Sequence, residues 1–243
     1  MKNLKFLLVI FLGSIVWNCA NPGLGDEDGE LPSVKSFYFT GKFDIDKLLK
    51  TGYPPEFGAS VSSMSWNTMG FKLLNIINTG KPYIYFVEKY NFTENGEVKM
   101  EFAGGGKIYY SSSAIEFEFR DEIIFHEFFH ILQNGNNSPV KSRNNEVEAY
   151  VAQILYARGK GGSSIAPPID ECSGDLIKQM ASLIDENTGE LRDKKDEAKF
   201  RGLYFDALVY LEGHPSYSNE NGYFSDYLDY SLPNLVKLLK YKV

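Results

Sequence analysis

The stretch Arg120–Gly135, RDEIIFHEFFHILQNG, decides the fold prediction for this chain of 243 residues. It contains HEFFH, an HExxH motif that runs from His126 to His130. On an α-helix, residues four positions apart lie on one face, so both imidazoles would point to one place. A divalent metal ion fits there, with Glu127 beside it to take a proton from a metal-bound water.

The residues around the motif predict a buried helix. Apolar side chains cover most of its circumference, and Asn134-Gly135 is a strong stop signal. Buried polar groups need partners, which a metal ion and its water would provide. The alternative is two core histidines, each bonded to a backbone carbonyl. The chain has three histidines in all, and two of them lie in this motif.

The overall composition limits the classes of function. With 18 Phe and 16 Tyr, the chain can build a substantial core, so its composition is not that of a disordered protein. The formal charge is −7, and there is no run of Lys or Arg. This charge balance argues against nucleic acid as a partner.

The N-terminus has the pattern of an export signal. Two lysines and an apolar run make residues 1–18 a predicted signal peptide, too short for a comfortable membrane span. Cys19 follows where a bacterial lipoprotein carries its lipidated cysteine, although Asn18 is not the usual preceding residue. The alternative is an ordinary signal peptide cut nearby. Residues 19–33 are then a lipidated cysteine and a flexible acidic linker, which predicts an outer-membrane or cell-surface lipoprotein.

Residues 34–243 are predicted to form a single α+β domain. After export, Cys172 is the one cysteine besides Cys19, so no internal disulfide is expected. Strands rich in aromatic and β-branched residues precede the motif, and several amphipathic helices follow it. We expect a small, mainly antiparallel sheet from segments 82–90, 97–102 and 107–111. We expect helices at 62–78, 120–134, 142–158, 174–185, 193–212 and 233–240.

A third protein ligand is required for a catalytic zinc site with an open position. The helix predicted at 142–158 offers Glu146 and Glu148, shortly after a loop that can reverse the chain direction. Two residues apart, these side chains point to nearly opposite sides of a helix, so only one of them can be a ligand. Both could also be solvated acids on the helix surface.

The motif and the following helix together resemble the gluzincin metallopeptidases, the thermolysin-type clan with a glutamate third ligand. Many members read Glu-x-x-Ala-Asp there, and Glu146 to Ala149 matches the first part. The resemblance covers about residues 82–158. It implies a zincin-like fold with Zn²⁺ held by His126, His130 and Glu146. It departs at Tyr150, where relatives often have an Asp that holds a ligand histidine, so this support is expected from Glu148 or a backbone carbonyl.

The same resemblance implies a mechanism and the remaining site residues. Glu127 would act as general base on a metal-activated water and pass the proton to the leaving amine. Relatives use a His or Tyr from the C-terminal part to stabilise the oxyanion, which makes His214 and Tyr217 candidates. His214 can instead cap the preceding helix. Lys107–Ser111 is the counterpart of the edge strand that aligns an extended peptide, or else an ordinary inner strand.

The predicted function is therefore a zinc-dependent peptidase tethered to a bacterial envelope, acting on a peptide or protein. The alternative is a non-catalytic surface lipoprotein that keeps a zincin-like fold and binds metal, protein or glycan. A glycan-binding role has support only from the Tyr- and Asn-rich loop between Tyr217 and Tyr230. The intact Glu127 favours the enzyme, because a degenerate relative would most easily lose the general base.

Overall fold

The HExxH segment forms a long central helix in the computed structural model. This helix, α3, spans Arg120–Asn134, as predicted. Phe125, Phe128 and Phe129 are fully buried on it. Two acidic residues in its first turn face the positive end of the helix dipole, and Gly135 ends it with φ at 61°. The helix therefore has clear local start and stop signals and an apolar surface to bury.

The structure describes residues 43–80, 83–89, 99–135, 137–161 and 174–243, and the backbone alone at 171–173. These residues lie within one compact unit, Val34–Val243. The predicted signal peptide at 1–18, Cys19 and the linker at 19–33 lie outside the described residues and stay predictions. No helix among the described residues is both long and apolar enough to span a bilayer.

The described part of the chain is a mixed α+β fold, as predicted at that level. Helix α3 packs against two helices that precede it, one that follows it and one strand. The elements in chain order are α1 (Pro55–Met64), α2 (Thr68–Gly80), β1 (Tyr85–Glu88), β2 (Met100–Gly104), β3 (Lys107–Tyr110), α3 (Arg120–Asn134), α4 (Arg143–Gly159), α5 (Glu171–Leu183), α6 (Glu197–Gly213) and α7 (Pro233–Lys240).

The single helix predicted at 62–78 is wrong, because the chain breaks there into α1 and α2. Asn67 lies in the break, where its Oδ1 accepts the N–H groups of Met69 and Gly70 at 2.9 and 3.1 Å. This side chain caps the start of α2. A Cβ at Gly70 would lie 2.4 Å from the Met64 carbonyl oxygen, so the close approach of the two helices requires glycine.

The sheet has three strands in the order β1-β3-β2 and is mixed. β2 and β3 form the expected antiparallel hairpin, with Gly104, Gly105 and Gly106 all at positive φ in the turn. β1, however, pairs with β3 in parallel. The expectation of a mainly antiparallel sheet is therefore only half right. The alternating burial of the strands is compatible with either a parallel or an antiparallel direction of β1. β2 packs against α3, and β3 separates it from β1.

The strand order also corrects the predicted edge strand. β3, the counterpart of Lys107–Ser111, is the central strand of the three described here and not an edge. β2 lies at one edge and packs directly against α3. The strand next to the motif helix is thus Met100–Gly104.

Candidate metal centre

Helices α3 and α4 bring together one glutamate and the two histidines of the motif. His126 and His130 lie one turn apart on α3, and Glu146 lies in the first turn of α4. All three residues are buried, and 7 to 11% of each side-chain surface is exposed. The histidine Nε2 atoms are 3.0 Å apart, and Glu146 Oε2 lies 3.5 Å from His126 Nε2 and 3.4 Å from His130 Nε2. This buried group could hold a metal ion.

The spacing of these three atoms fits a small four-coordinate cation. Ligand atoms around zinc, with bonds of about 2.0–2.2 Å, stand about 3.3–3.6 Å apart at the corners of a tetrahedron. The three separations, 3.0, 3.4 and 3.5 Å, lie in or near that range. Two imidazoles and a carboxylate are also a common ligand set for zinc. The residues present therefore fit a metal ion with a fourth position left for another ligand.

The ionisation of the group follows from its mutual contacts. Burial works against a charged Glu146, but the two histidines outweigh it and hold the pKa of this carboxyl well below its usual range. Burial likewise opposes a charge on His130, yet the Glu146 carboxylate raises the pKa of its imidazole to about 9. Burial lowers the pKa of His126. The group thus favours a charged His130 facing an ionised Glu146, and the proton shared between them lies where a cation would bind.

Each histidine of the group has a glutamine as the hydrogen-bond partner of its second ring nitrogen, Nδ1. His126 Nδ1 lies 3.1 Å from Gln153 Oε1, and His130 Nδ1 lies 2.7 Å from Gln133 Oε1. Metal-binding histidines usually have such a partner on the second ring nitrogen. The sequence reasoning missed both glutamines. Their signal was positional, because Gln133 is three residues after His130 and Gln153 seven residues after Glu146, on the same helix faces.

Tyr150 does not replace the carboxylate that the resemblance places at this position. Its ring packs 4.4 Å from the His126 ring between centroids, and its hydroxyl lies 2.6 Å from the Tyr217 hydroxyl. The contact to His126 is therefore aromatic, and the group that accepts a hydrogen bond from that imidazole is the Gln153 amide oxygen.

Glu127 lies next in sequence to His126 and is tied to the edge strand. Its Oε2 accepts the backbone N–H of Phe102 on β2 at 2.7 Å. Burial raises the pKa of this carboxyl to about 8, although the charge of His130 works in the opposite direction. Its Oε1 makes no hydrogen bond to another described residue, so one oxygen is free to exchange a proton. A buried carboxyl with a pKa near neutrality is suited to general acid–base chemistry.

Glu148 lies outside the candidate metal group. Its carboxylate accepts the backbone N–H groups of Asn234 and Leu235, at 2.6 and 2.9 Å, and the side chains of Asn234 and Gln133, both at 3.0 Å. These contacts attach it to the first turn of α7. Of the two glutamates that the sequence offered, Glu146 faces the histidines.

The two predicted oxyanion candidates differ in their surroundings. His214 is the C-cap residue of helix α6, where its backbone N–H donates to Leu211 O at 3.1 Å, and its Nδ1 accepts the Ser216 N–H at 3.2 Å in the short turn that follows. The Tyr217 hydroxyl is linked to the metal group only indirectly, through its contact with the Tyr150 hydroxyl. Within the described residues, neither His214 nor Tyr217 makes a hydrogen bond to any of the three candidate ligands.

Tyr223 is the hydroxyl that reaches the metal group, and the sequence reasoning did not single it out. It donates to Glu146 Oε1 at 3.4 Å, and its ring packs edge-on against Tyr217 with centroids 5.2 Å apart. Burial raises the pKa of its hydroxyl, which therefore stays a protonated donor. No local pattern links Tyr223 to Glu146, because 77 positions separate them in the chain.

Arg143 holds the loop that carries these tyrosines. Fully buried at the start of α4, it donates to Tyr217 O at 2.8 Å, Ser225 Oγ at 3.0 Å and Asn219 Oδ1 at 2.8 Å. The Arg143 backbone N–H also donates to Phe224 O at 2.9 Å. The helix that supplies Glu146 therefore also sets the position of Tyr223.

Comparisons with protein-family models, with curated proteins and with solved structures found no match to this chain.

Proposed function

We propose that this protein is a zinc-dependent peptidase. The observation that carries the proposal is the convergence of His126 Nε2, His130 Nε2 and Glu146 Oε2 within 3.5 Å of one another, beside the buried carboxyl of Glu127. Three such ligands plus one open position are typical of hydrolytic zinc sites, whereas structural zinc sites are closed by four protein ligands.

The residues of the site have distinct roles in this proposal. His126, His130 and Glu146 would hold the ion, which when bound polarises a carbonyl and lowers the pKa of water. Glu127 would take a proton from the attacking water on Oε1, as the water oxygen bonds to the peptide carbonyl carbon, while Oε2 stays anchored to the Phe102 N–H. It then delivers that proton to the leaving amine. The raised pKa of Glu127 helps it to hold the proton between the two transfers.

Tyr223 replaces His214 and Tyr217 as the proposed donor to the developing oxyanion. Its 3.4 Å contact to Glu146 is long for an O–H···O bond, so the hydroxyl gives up little by turning to a substrate oxygen. Tyr217 instead keeps a short 2.6 Å contact to Tyr150. A donor aimed at the oxyanion is a large contribution to catalysis of acyl transfer.

The substrate is proposed to be an extended peptide aligned along β2. This strand has one side without a strand partner among the described residues, and its Phe102 N–H already contacts the general base. Backbone hydrogen bonds from a strand edge are an established way to bind a peptide. The cleaved bond would then lie over Glu127 and the metal group.

The test compares metal content and peptide hydrolysis in the purified protein and two variants. We expect about one zinc per chain, and Glu127→Gln should keep it while hydrolysis of a mixed peptide library falls ~10²–10⁴-fold. His214→Ala is the control, because it removes a histidine outside the metal group, and both readouts should match the wild type. Undiminished hydrolysis by Glu127→Gln would refute the mechanism. No zinc after reconstitution would refute the site.

We propose from the sequence alone that this peptidase is a lipoprotein of a bacterial envelope. Residues 1–18 have the pattern of a signal peptide, and Cys19 follows at the lipidation position. Fatty-acid labelling in cells should be lost in Cys19→Ala and kept in the matched control Cys172→Ala. Labelling that persists without Cys19 would exclude lipidation there.

A further inference from the structure

The N-terminus of α7 is attached to the helix that carries the metal-binding glutamate. The first N–H groups of any helix lack partners within the helix. In α7, those of Asn234 and Leu235 donate to Glu148 Oε1, and the Asn234 side chain donates to Oε2. A carboxylate at this position also complements the positive end of the helix dipole. Glu148 is only 2% exposed, so these contacts are well shielded from water.

Gln133 connects Glu148 to His130, and its amide can be oriented in only one way. Its Nε2 donates to Glu148 Oε2 at 3.0 Å and to the Asn145 carbonyl oxygen at 2.9 Å. Both of these atoms are acceptors, so the amide nitrogen must face them. The amide oxygen is then left to face His130 Nδ1 at 2.7 Å. Because that oxygen can only accept, Nδ1 must carry the proton.

We propose that Glu148 and Gln133 are positioning residues that couple the docking of α7 to the metal-binding state of His130. With the proton held on Nδ1, Nε2 is the nitrogen whose electron pair can bind the ion. We call the chain of hydrogen bonds from α7 through Glu148 and Gln133 to His130 the relay. Its consequence for metal binding depends on the proposed function, whereas its effect on the imidazole proton does not.

Glu148→Gln replaces an acceptor oxygen by an NH₂ donor with almost no change of shape, so it tests the proposal. If the new amide oxygen keeps the two backbone N–H groups of α7, its NH₂ group faces the Gln133 Nε2, and two donors then oppose each other. Gln133 can relieve this clash by turning its amide, which gives up its bond to the Asn145 carbonyl oxygen and places an NH₂ group against His130 Nδ1. The imidazole then loses the acceptor that holds its proton on Nδ1.

The experiment measures two properties of the purified protein and of Glu148→Gln. Zinc affinity is measured by competition with a chelator, and the His130 Nδ1–H resonance is observed by NMR in metal-free and zinc-loaded samples. We expect zinc binding ~10–100-fold weaker, as for other partners of metal-binding histidines, and a lost or strongly shifted resonance. A merely structural role would leave that resonance in place.

The matched control is Glu190→Gln. It removes an exposed contact between Glu190 and Lys240, at 2.6 Å, near the other end of the same helix. We expect both zinc affinity and the His130 resonance to match the wild type. Should this control change them as much as Glu148→Gln does, general loosening of α7 would explain the effect and the relay would be refuted.

Two further outcomes separate the relay from the proposed function. A Glu148→Gln protein whose Nδ1–H resonance stays at the wild-type chemical shift, or that binds zinc as tightly as the wild type, overturns the relay. If this variant does not fold, Gln133→Met replaces it, because it leaves the bonds from Glu148 to α7 intact and should also lose the resonance. A wild type that binds no zinc refutes the proposed function, while the metal-free NMR comparison still decides the relay.

Discussion

Glu146 and Glu148 lie two positions apart on one helix, but their carboxylates have different kinds of partner atoms. Glu146 faces two imidazole nitrogens and a tyrosine hydroxyl at 3.4–3.5 Å, whereas Glu148 is surrounded by four N–H donors at 2.6–3.0 Å. The pKa of Glu146 is held low by the histidines, despite its burial, while burial raises the pKa of Glu148.

This difference shows how one residue type serves two purposes on neighbouring faces of a helix. The partners of Glu148 are fixed N–H donors. They satisfy its carboxylate fully and leave no place for an ion. The partners of Glu146 are nitrogens that can each offer an electron pair, so a cation can replace the proton they share. The nature of the partner atoms, more than burial, separates a candidate metal ligand from a structural carboxylate.

The largest expected effect that tests this comparison is from Glu146→Ala. It removes the only carboxylate of the candidate group, so zinc content and peptide hydrolysis should both fall below detection. Removing Glu148 should cost only the ~10–100-fold in affinity typical of an indirect partner. Elemental analysis of both purified variants checks this order. A Glu146→Ala protein that keeps a full zinc complement would mean that the comparison is reversed.

Tyr223→Phe should have the next largest effect, on hydrolysis alone. Removal of one oxyanion donor typically lowers kcat ~10²–10³-fold. Zinc content should not change, because the hydroxyl is not among the candidate ligands. Tyr217→Phe is the matched control, and it should reduce hydrolysis far less. Equal losses in the two variants would place the tyrosines in a common packing role.

Glu148→Ala should reduce stability more than any other substitution among the site carboxylates. The α7 N–H donors would be left buried without an acceptor, at a cost of ~1–3 kcal/mol in the free energy of unfolding. Urea denaturation of the metal-free proteins measures this loss. Glu146→Ala is the comparison, and it should be less destabilising, because the histidines it leaves can remain neutral.

The smallest expected effect is the release of a proton when zinc binds. In the metal-free protein His130 has a pKa of about 9, raised by Glu146 against the effect of burial. At pH 7.5 the ion must therefore displace about one proton from His130. Zinc affinity should rise with pH until His130 loses its proton, and the release should disappear above about pH 9.

Calorimetry in buffers of different ionisation enthalpy measures this proton release. The same linkage gives a sign for stability without metal. The raised pKa of His130 stabilises the fold fully below the unfolded value of 6.5, and this contribution is lost as the pH rises through about 9. Zinc binding without proton release at pH 7.5 would show that Glu146 does not hold His130 in its charged form.

Much of the candidate site was predictable because it depends on local geometry. The separation of four positions between His126 and His130 brings their imidazoles together on any α-helix. The stop at Gly135 and the next helix predicted the reversal that brings α4 against α3, and both helices were found close to their predicted bounds. Two candidate acids on α4 followed from the same reasoning.

The rotation of α4 about its own axis was not predictable from spacing alone. Residues two apart on a helix point to nearly opposite sides, so Glu146 and Glu148 were equal candidates until the resemblance favoured one. Packing decides between them, because Val147, Val151 and Ile154 are fully buried and set which side of α4 meets its neighbours. The strand order and the parallel pairing of β1 likewise depend on contacts beyond each strand.

The sequence by itself determined the motif helix, its partner helix and the convergence of the two histidines, because periodicity acts within a few residues along one element. The tertiary structure alone decided that Glu146 completes the group, that Tyr223 reaches it, and that Glu148 holds α7. These contacts join residues up to 87 positions apart. No local propensity encodes such distances, since they follow from how the apolar faces of separate elements pack together.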